Sequence, residues 1–321
     1  MEPETSGSTS SHKLTPILFN DHGLRAGWRL LIYLGMIAVL VLGARLLAKH
    51  LGGGAAGGIQ PPPFVQTLFQ LVGELILFLV LLFLAWVMSK IERRKMGVYG
   101  LPLQRAAFST FIRGYFLWGF LPLAILLAVL RVFHVFFFGD VNALSKQILG
   151  WGVLWFFVFL FVGLFEDYLL RGYFLYTLSD GIGFWPAAII QAILFARLHM
   201  ENGGETKIGI IATAFFALFA AATLWRTGNL WLAVGAHAGW DWGQSFFFGV
   251  SDSGFQAPGH LFNPRVAHGP DWLTGGSVGP EGSVITLILW ALMAAIFLLL
   301  YRKRRAPALV IDQKKLAAKL T

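Results

Sequence analysis

The chain has 321 residues, of which 57% are hydrophobic and only 13% charged, where a soluble domain carries about 25% charged residues. With 30 Phe, 12 Trp and several apolar runs longer than the ~18 residues that mark a membrane span, this composition excludes one large soluble α/β domain. The net charge of +9 does not indicate a nucleic-acid partner, since the basic residues gather beside span ends, and the lack of Cys removes disulfides and thiolate metal sites.

These features predict an all-α fold, a polytopic transmembrane helix bundle of about eight spans. Residues 1–26 read as a polar N-terminal tail, rich in Ser and Thr over its first 15 positions and without a cleavable signal pattern. Spans one to three, at 27–48, 64–89 and 107–137, fill an N-terminal membrane region, 27–149. The linker 52–63 ends in Pro61-Pro62-Pro63 and cannot be helix interior. Glu74, inside span two, reads as a packing residue. Spans four to seven, at 150–178, 184–200, 208–225 and 229–249, precede a Gly/Pro-rich segment, 250–282, which has no helical period and reads as a structured loop. Span eight, 283–301, closes a second membrane region, 150–301, before a basic tail, 302–321. No internal repeat is present.

The Lys and Arg residues predict the orientation. With both termini in the cytoplasm, 17 of the 25 fall on that side and 7 on the other, leaving only Arg171 inside a span. The expected setting is an integral membrane protein, bacterial and in the plasma membrane, with the lipid bilayer as one partner.

Ionisable groups inside a span cost roughly 2.5–3.5 kcal/mol each on insertion scales, so their presence needs a reason. Span four carries Glu166, Asp167 and Arg171 within six residues. Asp167 and Arg171 are four apart, on one helical face, and read as a structural ion pair. Glu166 points about 100° away from Asp167, which leaves it available for proton chemistry. Span five ends at His199. Span seven holds His237 and Asp241, four apart, a spacing that suits either a metal-ligand pair or a hydrogen-bonded dyad. Ala236, Ala238 and Gly239 would let another helix approach closely there. Convergence of Glu166, His199, His237 and Asp241 from three spans would let these groups satisfy one another, with Glu166 as general base and the imidazoles assisting water or holding a metal. No His-Glu-x-x-His, Gly-x-Ser-x-Gly or phosphate-binding glycine loop occurs. Two other classes compete: a proton-coupled transporter using the same polar pocket, and a catalytically silent membrane scaffold or immunity protein.

The spaced motifs resemble the CPBP family of intramembrane proteases, the CAAX-protease and bacteriocin-processing group also called the Abi family. Its Glu-Glu-x-x-x-Arg motif corresponds to Glu166-Asp167-Tyr168-Leu169-Leu170-Arg171, followed by Gly172. Phe-x-x-x-His corresponds to Phe195 through His199, and His-x-x-x-Asn/Asp to His237 through Asp241. Arg226-Thr227-Gly228-Asn229-Leu230-Trp231, Thr274-Gly275-Gly276 and Gly279-Pro280-Glu281-Gly282 are also similar, so the resemblance spans about 150–282. It implies an intramembrane endopeptidase acting on membrane-associated protein or peptide substrates. Glu166 and His199 would activate water, and His237 and Asp241 would stabilise the oxyanion or join a metal site. The family is described both as metalloproteases and as metal-independent glutamate proteases. A divalent metal such as zinc is thus one possible cofactor, with His199, His237 and Asp241 as candidate ligands. Asp167 stands where a second Glu is usual, and Asp241 where Asn is common. An ionised Asp only accepts hydrogen bonds, which favours a metal-ligand or His-orienting role for Asp241.

Overall fold

The computed structural model describes residues 17–20, 23–50, 61–267 and 269–302. The expected polar tail (apart from residues 17–20 and 23–26), most of the 52–63 linker and the basic tail beyond Arg302 lie outside the described residues. The protein is mostly helical, and its longer helices in chain order are α1 (Ala26–His50), α2 (Pro63–Ile91), α3 (Arg105–Arg113), α4 (Leu121–Val132), α5 (Lys146–Arg171), α6 (Tyr173–Ile182), α7 (Phe184–His199), α8 (Lys207–Thr227), α9 (Trp231–Trp242) and α10 (Val284–Leu300). A π-helical segment, Gly114–Phe120, joins α3 to α4 without a break, and another, Gly243–Phe247, prolongs α9.

Five of these helical stretches are long and apolar enough to cross a membrane: Ala26–His50, Pro63–Ile91, Arg105–Val132, Lys146–Ile182 and Lys207–Thr227. Phe184–His199 and Val284–Leu300 are apolar but shorter. This is an integral membrane protein, with five such helices where the sequence reading counts eight spans. The expected seventh span differs most. α9 is only 12 residues long and is buried without interruption from Leu232 to Asp241, as a helix apolar on all sides must be. At the other extreme, α1 buries only Arg29 and Tyr33 and turns its aliphatic side chains outward. The long expected fourth span is also divided: α5 stops at Arg171, and Gly172 (φ −79°, ψ −118°) redirects the chain into α6. A Cβ at Gly172 would stand 2.5 Å from the Tyr168 carbonyl oxygen.

Helix ends follow local chemistry. Pro63 occupies the first turn of α2, where a missing N–H costs nothing. The Ser145, Thr206 and Ser283 hydroxyls cap α5, α8 and α10 by accepting from the Ile148, Gly209 and Ile285 amides. Gly228 ends α8 in the left-handed conformation (φ +79°), and its amide donates to the Leu224 carbonyl.

The central contact is between α9 and the π-helical segment Gly114–Phe120. A Cβ at Gly235 or Gly239 would stand 2.2 Å from the Phe111 or Tyr115 carbonyl oxygen, respectively. From the other side, one at Gly114 or Gly119 would stand 2.3 or 2.2 Å from the Leu232 or Ala236 carbonyl oxygen. Two backbones therefore touch where four glycines allow it. Gly114 and Gly119 are five apart, a spacing that i→i+5 hydrogen bonding brings onto one face. The sequence reading expects a helix to approach the His237–Asp241 face through Ala236, Ala238 and Gly239; the approach to the Gly114–Phe120 segment instead uses the side of α9 that carries Gly235 and Gly239. Gly239→Val is expected to lower stability by at least about 1–3 kcal/mol, the cost of overpacking. Thermal unfolding in detergent checks this against Gly150→Ala, whose added Cβ would meet nothing within 4 Å.

Two small sheets depart from the all-helical expectation. β1 (Phe19–Asn20) pairs with β2 (Gly23–Leu24), and β3 (Phe136–Val141) pairs antiparallel with β4 (Phe262–Val266). The second pair, in register at Phe136↔Val266 and Val141↔Phe262, ties the 250–282 loop to the α4–α5 connection. That loop is structured, as expected, but by strand pairing and tight glycine turns.

Candidate active site

Glu166 lies near the C-terminal end of α5, one turn beyond Gly163. A Cβ at Gly163 would meet the Val234 carbonyl oxygen at 3.3 Å and His237 Cβ at 3.4 Å, so this glycine seats α5 against α9 beside His237. His199 is the last residue of α7, and His237 and Asp241 lie one turn apart on α9. All four line one cavity of about 490 Å³. The structure thus brings together every residue that the sequence reading predicts to converge. Glu74 belongs there too: it lines the same cavity from α2, where the sequence reading has it as packing.

The distances define a chain of polar groups. Glu166 Oε2 is 3.7 Å from His237 Nε2 and 3.9 Å from His199 Nε2. Asp241 Oδ2 is 3.5 Å from His237 Nε2. On the far side of the ring, His237 Nδ1 is 3.6 Å from Asp167 Oδ2. These gaps exceed hydrogen-bond length, and Glu166 Oε2, Asp167 Oδ2 and His237 Nδ1 are all buried without a hydrogen-bond partner. His199 is fixed differently. Its Nδ1 is 2.9 Å from the Phe195 carbonyl oxygen, an acceptor, so Nδ1 carries the proton and donates, and the Nε2 lone pair is left facing Glu166.

Asp167 and Arg171 form the ion pair expected from their spacing, through Asp167 Oδ1 and Arg171 Nη1, with both side chains fully buried. The guanidinium also stands over two aromatic rings, 4.5 Å from the Phe195 centroid and 5.6 Å from that of Phe216. Phe216 packs edge-on against His237 at 4.9 Å. The sequence reading assigns Asp167 to structure alone. The structure shows its second oxygen facing His237, a contact between α5 and α9 that no within-helix spacing reveals.

Two further carboxylates line the cavity from the 250–282 loop, Asp252 and Glu281. Sequence reasoning reaches Glu281 only through the Gly279-Pro280-Glu281-Gly282 similarity and misses Asp252, which stands in no periodic pattern. Burial pushes the Asp252 carboxyl up to about 6, against the opposing hydrogen bond from Ser245 and the nearby His237. Burial and the adjacent Asp252 push Glu281 up to about 8.

The three metal candidates share the cavity but do not close on one common point. His237 and Asp241 lie together, whereas His199 approaches Glu166. Among the described residues no group of three or more His, Asp or Glu is arranged to hold a metal ion, so the side chains as placed do not fit a metal centre.

The family model described as Rce1-like, type II CAAX prenyl endopeptidase, matches residues 148–243. That stretch runs from the first turn of α5 to just past α9 and contains Glu166, Asp167, Arg171, His199, His237 and Asp241. The match agrees with the family resemblance carried by the three sequence motifs. No curated protein and no solved structure matches the chain.

Proposed function

From the family match over the helices that build the cavity, we propose that this protein is an intramembrane endopeptidase that cleaves membrane-associated protein or peptide substrates. The observation that carries the reading is Glu166 Oε2, a buried carboxylate oxygen without a hydrogen-bond partner, facing the Nε2 atoms of two histidines inside an apolar bundle.

A water beside Glu166 Oε2 and His199 Nε2 meets two acceptors, so its oxygen lone pair is left to attack a peptide carbonyl. Glu166 takes the proton as the C–O bond forms. His237, as the imidazolium with Nδ1–H toward Asp167 and Nε2–H toward the cavity, is set to donate its Nε2 proton to the developing oxyanion, where preorganised donors act most strongly. When the tetrahedral intermediate collapses, the C–N bond breaks and Glu166 returns the proton to the leaving amine. Every step is carried by side chains of this chain. Asp241 holds the Nε2 side of the His237 ring opposite Asp167. The Lys and Arg distribution supports an orientation with both termini in the cytoplasm; Arg29, paired with Glu92 and Asp180, gathers the ends of α1, α2 and α6, and Arg226 donates to the Arg302 carbonyl oxygen.

The test is cleavage of a membrane-anchored peptide reporter by the purified protein in liposomes. Cleavage by the wild type is expected, and a wild-type preparation without hydrolysis on a broad reporter panel overturns the reading. Asp241→Asn separates two roles in the same assay. If the charge of Asp241 steadies His237, the variant keeps its melting temperature but loses activity by roughly 10-fold or more, as outer partners of a functional His do. Activity at or above wild type would instead assign Asp241 as a neutral donor that Asn replaces.

A further inference from the structure

Asp252 and Glu281 are tied to the end of the helix that carries His237 and Asp241. The π-helical segment Gly243–Phe247 continues α9 without a break, so Gln244 and Ser245 follow Asp241 by three and four residues on the same helical run. Both are fully buried. The Ser245 hydroxyl donates to Asp252 Oδ2 at 2.9 Å. The Gln244 side-chain amide donates to the Ser251 carbonyl at 2.6 Å and, more weakly, to Glu281 Oε2 at 3.4 Å. Glu281 Oε1 in turn accepts from the Ser253 amide at 2.6 Å. One glycine makes this possible. Gly279 has φ +116°, and a Cβ there would stand 2.1 Å from the Ser251 carbonyl oxygen and 3.3 Å from Gln244 Nε2. The chain carrying Glu281 can close on the Ser251–Ser253 turn only because that position has no side chain.

We propose that Asp252 and Glu281 are positioning residues: they latch the 250–282 loop onto the π-helical end of α9 and so set the register in which His237 and Asp241 face the cavity. The proposal rests on the endopeptidase reading. The latch grips a π-turn that directly follows the functional pair, and such turns are local irregularities of helices often found at functional sites. Without the latch, the end of α9 loses its hydrogen bonds to the loop and the His237–Asp241 face rotates or slides. Misplacement on the scale of 1 Å costs on the order of 10²-fold in rate.

The experiment uses the full chain in liposomes, with Glu281→Ala, Glu281→Gln, Asp252→Ala and Ser245→Ala, and measures kcat, KM and amide hydrogen exchange across Gly243–Phe247. The expected result is a kcat loss of roughly 10- to 100-fold in the alanine variants at Glu281 and Asp252, with KM within about twofold. Exchange at Gly243–Phe247 rises in the same variants. Glu281→Gln keeps an acceptor for the Ser253 amide and recovers most of the kcat, and Ser245→Ala resembles Asp252→Ala. Wild-type kcat in the alanine variants overturns the latch, as does a change confined to KM. Failure of Glu281→Gln to recover any kcat also overturns it, by placing the carboxyl group itself in the reaction. If the wild type does not cleave, the endopeptidase reading fails. The exchange data then still decide whether the loop holds the π-turn, since unchanged exchange in Asp252→Ala and Glu281→Ala sinks the latch by itself.

Discussion

Glu166→Gln is expected to lower kcat by roughly 10²–10⁴-fold, the contribution of a positioned general base, with KM and melting temperature close to wild type. Gln preserves the shape of the side chain and one acceptor oxygen but has no lone pair basic enough to take a proton from water. Two features of the site make the size of this effect specific to Glu166. Its Oε2 is the oxygen that faces both His199 Nε2 and His237 Nε2, so no other cavity carboxylate stands between the two imidazoles. Its side chain also avoids the Asp167–Arg171 pair, so its removal leaves no buried charge uncompensated. The measurement is initial-rate kinetics on a membrane-anchored reporter, paired with a thermal melt. Near wild-type turnover would remove Glu166 from the base role and shift attention to His199, whose Nε2 lone pair faces the same space.

The legible part of this fold was whatever repeats along a helix. Apolar length identified the membrane helices, and four-residue spacing placed Asp167 with Arg171 and His237 with Asp241, because residues one turn apart share a face whatever surrounds them. The predicted convergence of Glu166 with His199, His237 and Asp241 followed from the cost of leaving such groups in lipid. What escaped notice depends on contacts between helices or on backbone irregularity. Asp167 faces His237 because Gly163 admits α9 against α5, and nothing within either helix encodes that meeting. The two π-helical segments and the break at Gly172 arise from local conformations, and the strand pair β3–β4 from a long-range pairing, none of which hydropathy registers. α9 looks like a membrane span by composition, yet it is walled in by other helices, since a buried helix and a lipid-facing one carry the same apolar signal. Asp252 sits in a glycine-rich loop without period, and contacts that no helical spacing encodes place it: a backbone bridge with Phe255 and the hydrogen bond from Ser245.

The Asp167–Arg171 pair combines two roles that substitution separates. Arg171→Met is expected to destabilise the protein by about 3–5 kcal/mol, because it strands a fully buried carboxylate. The double variant Asp167→Leu/Arg171→Met removes both charges. Replacing a buried ion pair by apolar groups of similar volume is often neutral or stabilising, so its melting temperature should return close to wild type. The Phe195 and Phe216 rings that flank the guanidinium then pack against Met, which adapts well to aromatic neighbours. Activity should not return with stability. Without Asp167 Oδ2 opposite Nδ1, the His237 ring loses the acid that fixes its orientation, and Nε2 is no longer held toward the substrate carbonyl. A double variant that melts like the wild type yet turns over at least roughly 10²-fold more slowly assigns Asp167 to the orientation of His237, on the scale expected for a lost transition-state donor. One that recovers both stability and activity would return Asp167 to a purely structural role and leave Asp241 as the acid that orients His237.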